Sequence, residues 1–355
     1  MLTHRYFLRF VILLVSLLRL IGTVSAENNI DFVVGDFMKS EGGNWNPAES
    51  SLENPFGIDF DSKGNLFVVE LGGGRVHQID PAGVQTQIAG DGSKSYQGDG
   101  GPAKQATFNG MHNCAITNDD QLLIADSWNH CVRRIDLKSG TIETVFGTGE
   151  EGFSGDKGDA KQAKFNFVMC ISLNHAKEVL HIIDLKNRRV RNVDLKSGRV
   201  DTVAGNGDEG SPKNGDQAAA SPLVDPRAVA SDSQGNLYIL ERRGNALRVV
   251  RPDGTIHTCA GTGKRGHMDG EASQAQFGSP KHICVDDQDN VYVADDVNGA
   301  IRKYDPRTEQ VSTVLGRGIG HPKIKLSHPH GVCFRDGSLY VLDSGNHRIL
   351  RLTLP

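Results

Sequence analysis

The sequence has little excess charge, few aromatic residues and none of the short motifs that mark common catalytic or metal sites. Its 39 basic and 43 acidic residues leave a formal net charge of −4, so it lacks the basic face that nucleic-acid binding usually requires. It contains no Gly-x-Ser-x-Gly elbow, no His-Glu-x-x-His and no Cys-x-x-Cys. We therefore expect no nucleic-acid partner, and no motif predicts a serine hydrolase or a paired-cysteine zinc site.

Long hydrophobic runs are missing beyond the N-terminus. A basic start at residues 4–9 precedes a short apolar run from Phe10 to Leu18, and residues 24–26 end in a small-x-small pattern. This order predicts a signal peptide over residues 1–26 and an exported protein, periplasmic or extracellular, without a stable membrane span after cleavage. Because Arg19 interrupts the apolar run, the alternative is an uncleaved N-terminal membrane anchor.

The sequence contains a repeated motif. In one clear copy, an apolar run, Leu237–Glu241, ends on an acid, a polar turn with Gly and Asn follows, and a second run carries an apolar residue and Arg248. This order is typical of a β-hairpin. Successive closing acids are 56, 58, 57, 54 and 48 residues apart, and they are Glu70, Asp126, Asp184, Glu241, Asp295 and Asp343. Six copies at a near-constant period predict a repeat protein.

Each repeat also has an apolar strand before the hairpin and a fourth strand after it, as in Asp201–Gly205. Six units of four short antiparallel strands predict an all-β, six-bladed β-propeller over residues 27–355, because blades bury their faces against one another. The last copy ends after its third strand, and residues 31–36 resemble the fourth-strand phrase of another copy. We therefore predict that the N-terminal strand completes the last blade and closes the ring.

The repeats resemble the NHL repeat, a family of six-bladed propellers, over essentially residues 30–355. Pro329–Val332 with Asp343–Ile349 is the most similar copy, and Pro55–Ile58 with Asp61–Leu66 also fits, while residues 174–179 depart from the pattern. The family includes both binding modules and enzymes, so the resemblance implies a fold and leaves the function open.

Acidic residues recur between and within the blades without forming a catalytic pattern. The Gly-rich loops around Asp99 and Asp156 lack the dense alternating acids of a calcium loop, so we expect these aspartates to cap turns. The closing acids stand in every repeat, and a catalytic group is needed only once. We therefore expect them to be structural and to pair with a neighbouring arginine.

The candidate site is the mouth of the central channel, where the innermost strands begin. Alignment of the six copies places aromatic, imidazole and cationic residues at one register: Phe56, His112, Met169, Arg227, Lys281 and His330, with His282 one residue further along. Three interpretations are open for this ring.

In the first interpretation, these are solvated residues at the rim of the channel. In the second, they form an anion pocket in which the Arg227 guanidinium donates two hydrogen bonds and Lys281 adds a positive charge. In the third, they form a divalent metal site. The metal ligands would be His112 and His330, with His282 as a further candidate. A metal site would be similar to that of the peptidyl-hydroxyglycine lyases, which are related propellers. Gluconolactonase-type propellers use acidic and amide ligands, which this register lacks.

The expected function is a non-enzymatic module that binds a protein or a small anionic ligand through the channel mouth and the loops between blades. The alternative is a channel-centred metal-dependent lyase or hydrolase acting on a small substrate. We expect no cofactor, with a divalent metal as the alternative, and a monomer. The six cysteines align with apolar positions, as Cys114 does with Ile58, which favours unpaired core residues over disulfides.

Overall fold

The computed structural model describes residues 30–34 and 52–354. The predicted signal peptide, residues 1–26, lies outside the described residues, so export stays a prediction. The last two residues of the predicted closing segment, Gly35 and Asp36, lie outside them as well. No helix in the described ranges is long and apolar enough to cross a membrane.

Within these ranges the strands form six antiparallel sheets, and each sheet is one blade of a propeller. From the channel outward, blade 1 consists of β2 (Pro55–Phe60), β3 (Leu66–Glu70), β4 (Val76–Ile79) and β5 (Gln85–Ala89). Blade 2 consists of β6 (Met111–Ile116), β7 (Gln121–Asp126), β8 (Cys131–Asp136) and β9 (Thr141–Phe146). Blade 3 consists of β10 (Val168–Leu173), β11 (Val179–Asp184), β12 (Arg189–Asp194) and β13 (Val200–Ala204).

The next two blades add a two-residue strand from the preceding loop to their outer edge. In blade 4, β14 (Asp216–Gln217) lies outside β15 (Pro226–Ser231), β16 (Leu237–Glu241), β17 (Ala246–Val250) and β18 (Thr255–Ala260). In blade 5, β19 (Gly270–Glu271) lies outside β20 (His282–Val285), β21 (Val291–Asp295), β22 (Ala300–Asp305) and β23 (Gln310–Leu315). Blade 6 contains β24 (Pro329–Arg335), β25 (Ser338–Asp343) and β26 (Arg348–Thr353).

The N-terminal strand supplies the fourth strand of blade 6, as predicted. Strand β1 (Ile30–Val34) pairs with β26 in antiparallel register, with Ile30 opposite Leu352. Phe32 packs against the core that blades 5 and 6 share. The all-β, six-bladed fold with a ring closed by the N-terminal strand is therefore confirmed.

The burial of the strands follows their distance from the channel. All five residues of β16 are buried, because a middle strand is covered on both faces by neighbouring blades. The outermost strand of blade 2, β9, is less buried, because Thr141 is exposed and Glu143 and Thr144 are partly exposed. The loops between blades add short 3-10 helices with a buried first alanine, at Ala103–Gln105, Ala160–Gln162 and Ala218–Ala220. Three loops between blades each contribute one fully buried phenylalanine: Phe108, Phe165 and Phe277.

The repeated acids pair with arginines inside the blades. Arg302 is fully buried, and its Nη1 lies 2.8 Å from Asp295 Oδ2, while its Nη2 lies 2.6 Å from Asp269 Oδ1. The same arrangement joins Arg133 to Asp126 and Asp99. Our expectation that the loop aspartates cap their own turns was wrong for these residues, because their carboxylates accept hydrogen bonds from the next blade's arginine. This pairing explains why the acid recurs in each copy.

All six cysteines lie in the described part of the chain, and none forms a disulfide. Cys114, Cys131 and Cys170 are buried, whereas Cys259, Cys284 and Cys333 are partly buried. This agrees with their alignment to apolar core positions.

Candidate functional site

The innermost strands begin with an irregularity that turns one side chain toward the channel. In five of the six inner strands as described, the pairing register shifts by one residue near the start, which is a β-bulge. Such a bulge re-aims the extra side chain. The extra residues are Phe56, His112, Met169, Arg227 and His330. In blade 5, Lys281 stands just before the strand, and its backbone N donates to Ala294 O at 2.9 Å.

These six residues occupy equivalent positions at the start of the inner strands and are here called the mouth ring: Phe56, His112, Met169, Arg227, Lys281 and His330. The Phe56 ring centroid lies 5.0 Å from that of His112 and 4.3 Å from that of His330. On the other side, Arg227 Nη1 lies 2.7 Å from Met169 Sδ. The structure thus brings the sequence-predicted candidates together at one end of the channel, and their role as ligand-binding residues stays a prediction.

His112 is a buried imidazole with a defined tautomer. Its Nδ1 lies 2.8 Å from both Gly110 O and Ser127 Oγ. Because Ser127 Oγ donates its own proton to Val168 O at 2.6 Å, Nδ1 must be the nitrogen that carries hydrogen. Burial, and then the charge of Arg227, lower the pKa of His112 to about 3. His112 is therefore neutral, and its Nε2 offers a lone pair that no group in the described ranges occupies.

Arg227 is a buried cation without a carboxylate partner. It is 7% exposed, and burial lowers its pKa to about 10, so it keeps its charge at neutral pH. The nearby Asp225 carboxylate is held by Arg242, whose Nε lies 2.7 Å from Asp225 Oδ2. Across the described residues, no acidic group lies within 4.0 Å of the Arg227 guanidinium. Because the thioether of Met169 is only a weak acceptor, most N–H donors of Arg227 have no strong hydrogen-bond acceptor among the described residues.

Lys281 and two histidines converge on Asp296. Lys281 Nζ lies 3.3 Å from Asp296 Oδ2, and His328 Nδ1 and His330 Nε2 lie 3.0 Å and 3.6 Å from Asp296 Oδ1. Burial lowers the pKa of His330 to about 4 despite Asp296, and it also lowers the pKa of Lys281. Donor atoms of Asp296, His328 and His330 all lie within 4.8 Å of one another. His330 thus has two other potential metal ligands, and His112 is not in this group.

Sequence reasoning missed Asp296 and His328. A signal for Asp296 was present, because the residue after the closing acid is a second acid in blade 5, whereas the other copies have Leu71, Ser127, Leu185, Arg242 and Ser344 there. An acid that occurs once is a better candidate for function than an acid that occurs six times. Nothing comparable in the sequence marks His328.

An aromatic surface adjoins the ring. The Trp128 centroid lies 5.1 Å from His112 and 5.0 Å from Phe167, and Trp128 is 45% exposed. Lys186 Nζ lies 5.8 Å from the Phe167 centroid. The mouth therefore combines the Arg227 cation, which has no carboxylate partner in the described ranges, with the neutral imidazole of His112 and an apolar wall.

His282 lies one layer deeper than the mouth ring. Its Nε2 lies 2.9 Å from Asn113 Nδ2 and its Nδ1 lies 3.2 Å from Val332 O. Nδ1 is therefore the donor and Nε2 the acceptor, and burial lowers the pKa of His282 to about 4. Both nitrogens are used in a bridge between blades. His282 also lines a central cavity of about 340 Å³ formed by the far ends of the inner strands.

The chain is similar in sequence to a known repeat and to two curated proteins. Residues 326–352 match the NHL repeat model. Protein SUPPRESSOR OF QUENCHING 1 of Arabidopsis thaliana is 28% identical over 66% of this chain and 24% of its own length. NHL repeat-containing protein 2 of Bos taurus is 27% identical over 70% of this chain and 40% of its own length. The chain thus spans well under half the length of these curated relatives.

Solved structures share the fold at low identity. An auxiliary nutrient binding protein from Bacteroides thetaiotaomicron has a TM-score of 0.62 and 14% identity, covering 85% of this chain and 69% of that one. A streptogramin B lyase has a TM-score of 0.56 and 13% identity, covering 92% and 98%. These likenesses show a common fold that serves both binding proteins and enzymes. With an NHL repeat match in its last blade and a closed ring of six blades, the chain is a six-bladed β-propeller similar to NHL repeat-containing proteins.

Proposed function

We propose that the protein is a binding module whose mouth ring takes a small carboxylate that also carries a hydrogen-bond donor. The observation that carries this proposal is the Arg227 guanidinium, which is buried, charged and without a carboxylate partner in the described structure. A guanidinium fork matches the two oxygens of a carboxylate and forms strong charge-assisted hydrogen bonds with them. A ligand would therefore supply the partner that the protein does not.

The other mouth residues define the rest of the ligand. The lone pair on His112 Nε2 requires a donor, such as a hydroxyl or amine group of the ligand. Phe56 and Trp128 offer apolar contact. Lys281 contributes less attraction than Arg227, because Asp296 already neutralises its charge. These features favour a small, singly charged molecule over a polyanion.

The test is calorimetric titration with small hydroxycarboxylates, with acetate as the minimal probe. We expect binding to the wild-type protein, a loss of at least about tenfold in Arg227→Met, which corresponds to roughly 1.4 kcal/mol, and no change in Arg307→Met. Arg307 is a matched control because it is exposed and paired with Asp305. Equal affinity of the wild-type protein and Arg227→Met would contradict the proposal.

A second candidate, a channel-centred metal-dependent lyase or hydrolase, is favoured by one observation, the grouping of Asp296, His328 and His330. The buried His330 Nδ1 has no hydrogen-bond partner in the described structure, and two imidazoles with a carboxylate form a donor set that divalent transition metals accept. A bound metal would supply Lewis-acid polarisation of a substrate oxygen. In this arrangement Arg227 would orient the substrate, and His112 Nε2 would accept a proton.

One contact argues against the metal. Lys281 Nζ, 3.3 Å from Asp296 Oδ2, already gives that carboxylate a positive partner. Elemental analysis of residues 27–355, beside His112→Ala/His330→Ala and Asp296→Asn, decides between the two functions. No stoichiometric metal in the wild-type protein supports the binding module. Metal in the wild-type protein that is lost in both variants supports the enzyme.

A further inference from the structure

Blade 3 differs from blades 4, 5 and 6 at one position of its second strand. Three residues before the closing acid, blades 4, 5 and 6 have Tyr238, Tyr292 and Tyr340, whereas blade 3 has His181. The tyrosine hydroxyls of blades 4 and 5 reach a turn aspartate, with Tyr292 3.0 Å from Asp286 Oδ2. Blade 3 therefore has a shorter side chain where blades 4 and 5 have a tyrosine whose hydroxyl is hydrogen-bonded within its own blade.

The turn that follows the first strand of blade 3 has changed as well. Asn174 occupies the place of the turn aspartate, and its Oδ1 accepts from the backbone of Glu178 and Val179. Elsewhere such turns are joined across blades, for example where Ser233 N and Oγ lie 2.9 Å and 2.8 Å from the Asp289 carboxylate. Among the described residues, no hydrogen bond joins the turn of blade 3 to that of blade 4.

This change leaves a buried acceptor without a partner. His181 is 5% exposed, and its Nδ1 lies 2.7 Å from Asn192 Oδ1, so Nδ1 carries the proton and Nε2 the lone pair. Within the described structure, His181 Nε2 and the buried Ser231 Oγ both have no hydrogen-bond partner. Each such group costs about 1–3 kcal/mol when it stays unsatisfied.

Both residues, His181 and Ser231, line one cleft between blades 3 and 4. The cleft has a volume of about 640 Å³, which is within the range of small-molecule sites. Its walls include Val203, Leu237 and Val250. The charged residues at the cleft are Asp232, whose oxygens accept from its own turn, and Arg251, which is exposed.

We propose that this cleft is a second, independent binding site for an uncharged, largely apolar molecule that carries a hydroxyl group. The ligand hydroxyl donates to His181 Nε2, and Ser231 Oγ donates to or accepts from the same end of the ligand. The apolar body of the ligand packs on the aliphatic walls. An anion fits poorly, because burial lowers the pKa of His181 and so keeps its imidazole neutral. A phenol best fits the place of the absent tyrosine ring.

The experiment uses 2-naphthol as the probe and 2-methoxynaphthalene as a partner of similar shape without the O–H donor. Binding is followed by ligand-observed NMR on residues 27–355. We expect 2-naphthol to bind at least about tenfold more tightly than the methyl ether, the ratio that one hydrogen bond of roughly 1.4 kcal/mol provides. Similar binding of the two compounds, or no binding of 2-naphthol, would overturn the proposal.

Variants locate the site. His181→Tyr places in the cleft the residue that blades 4, 5 and 6 have at this position. It should therefore fold normally, with a melting temperature at or above that of the wild-type protein, and no longer bind the probe. Ser231→Ala should lower the affinity for 2-naphthol several-fold. His257→Ala, a histidine of the neighbouring cleft between blades 4 and 5, should bind it normally. Binding of 2-naphthol to a folded His181→Tyr variant would refute this location. Arg227→Met, which tests the mouth ring, should bind 2-naphthol with unchanged affinity.

Discussion

Asp31 and Arg351 are 320 positions apart along the chain and face each other across the β1–β26 ladder, with Arg351 Nε 3.0 Å from Asp31 Oδ2. Both side chains are about half exposed. Around this pair, Ile30 and Phe32 pack against the core of blade 6. The backbone ladder and these apolar contacts close the ring. The exposed ion pair contributes little to the stability of this closure.

Deletion of residues 30–34 should therefore destabilise the whole protein. The deletion leaves β26 as an open edge and removes several ladder hydrogen bonds, each worth about 1 kcal/mol. We expect a loss of at least about 5 kcal/mol in urea unfolding, or failure to fold. The control is Asp31→Ala, which removes an exposed ion pair and should cost under about 1 kcal/mol. A deletion no worse than Asp31→Ala would show that closure does not depend on β1.

The pairing of Arg302 with Asp295 should contribute strongly to stability. Arg302→Ala leaves the Asp295 carboxylate buried without its cation, and breaking such a pair costs about 3–5 kcal/mol. Arg307→Ala breaks an exposed pair with Asp305 and should cost under about 1 kcal/mol. Guanidinium unfolding of both variants measures the difference, and equal losses would contradict a structural role for the repeated acid.

Stability should fall as the pH is lowered from about 6.5 toward 4, partly because of His282. The folded state takes up this proton only near the lowered pKa of about 4, whereas the unfolded state takes it up near 6.5. Protonation therefore favours unfolding throughout this interval. Between about pH 7.5 and pH 5 the wild-type protein should lose about 2 kcal/mol more than His282→Gln, at about 1.4 kcal/mol per pKa unit.

The comparison with His282→Gln isolates one histidine. Asp126 and Asp184, whose pKa values burial raises to about 6, act in the opposite direction over part of this range. They are the same in both proteins, so their effect cancels in the difference. Parallel pH profiles from urea unfolding would show that His282 titrates normally in the folded state.

The inner strands of blades 1 and 2 touch at Gly57. A Cβ at this residue would lie 2.6 Å from Asn113 Cα, so Gly57→Ala must displace backbone beside two mouth residues. We expect a loss of about 1–3 kcal/mol, the usual cost of overpacking. Gly101→Ala, in a loop where the nearest atom is 3.3 Å away, is the control. Thermal unfolding of both variants tests the contact, and an unchanged Gly57→Ala would refute it.

The strands and blades could be predicted from the sequence because the signals that determine them are local. The run from Leu237 to Glu241, its Gly-Asn turn and Arg248 specify a hairpin within one repeat. Six aligned copies also define the register, and so Phe56, His112, Arg227 and His330 could be assigned to one end of the channel. The resemblance of residues 31–36 to a fourth strand was enough to predict the closure.

Only the tertiary structure decided what those residues touch. Phe56 meets His330 because the ring closes blade 6 onto blade 1, and Asp296 meets His328 across a loop that no repeat pattern describes. Likewise, His282 crosses the channel to Asn113, and His181, whose buried Nε2 has no hydrogen-bond partner in the described structure, lines a cleft that two blades share. Hydrophobic periodicity encodes pairing within a blade, whereas contacts between blades depend on how six separately encoded sheets pack around one axis.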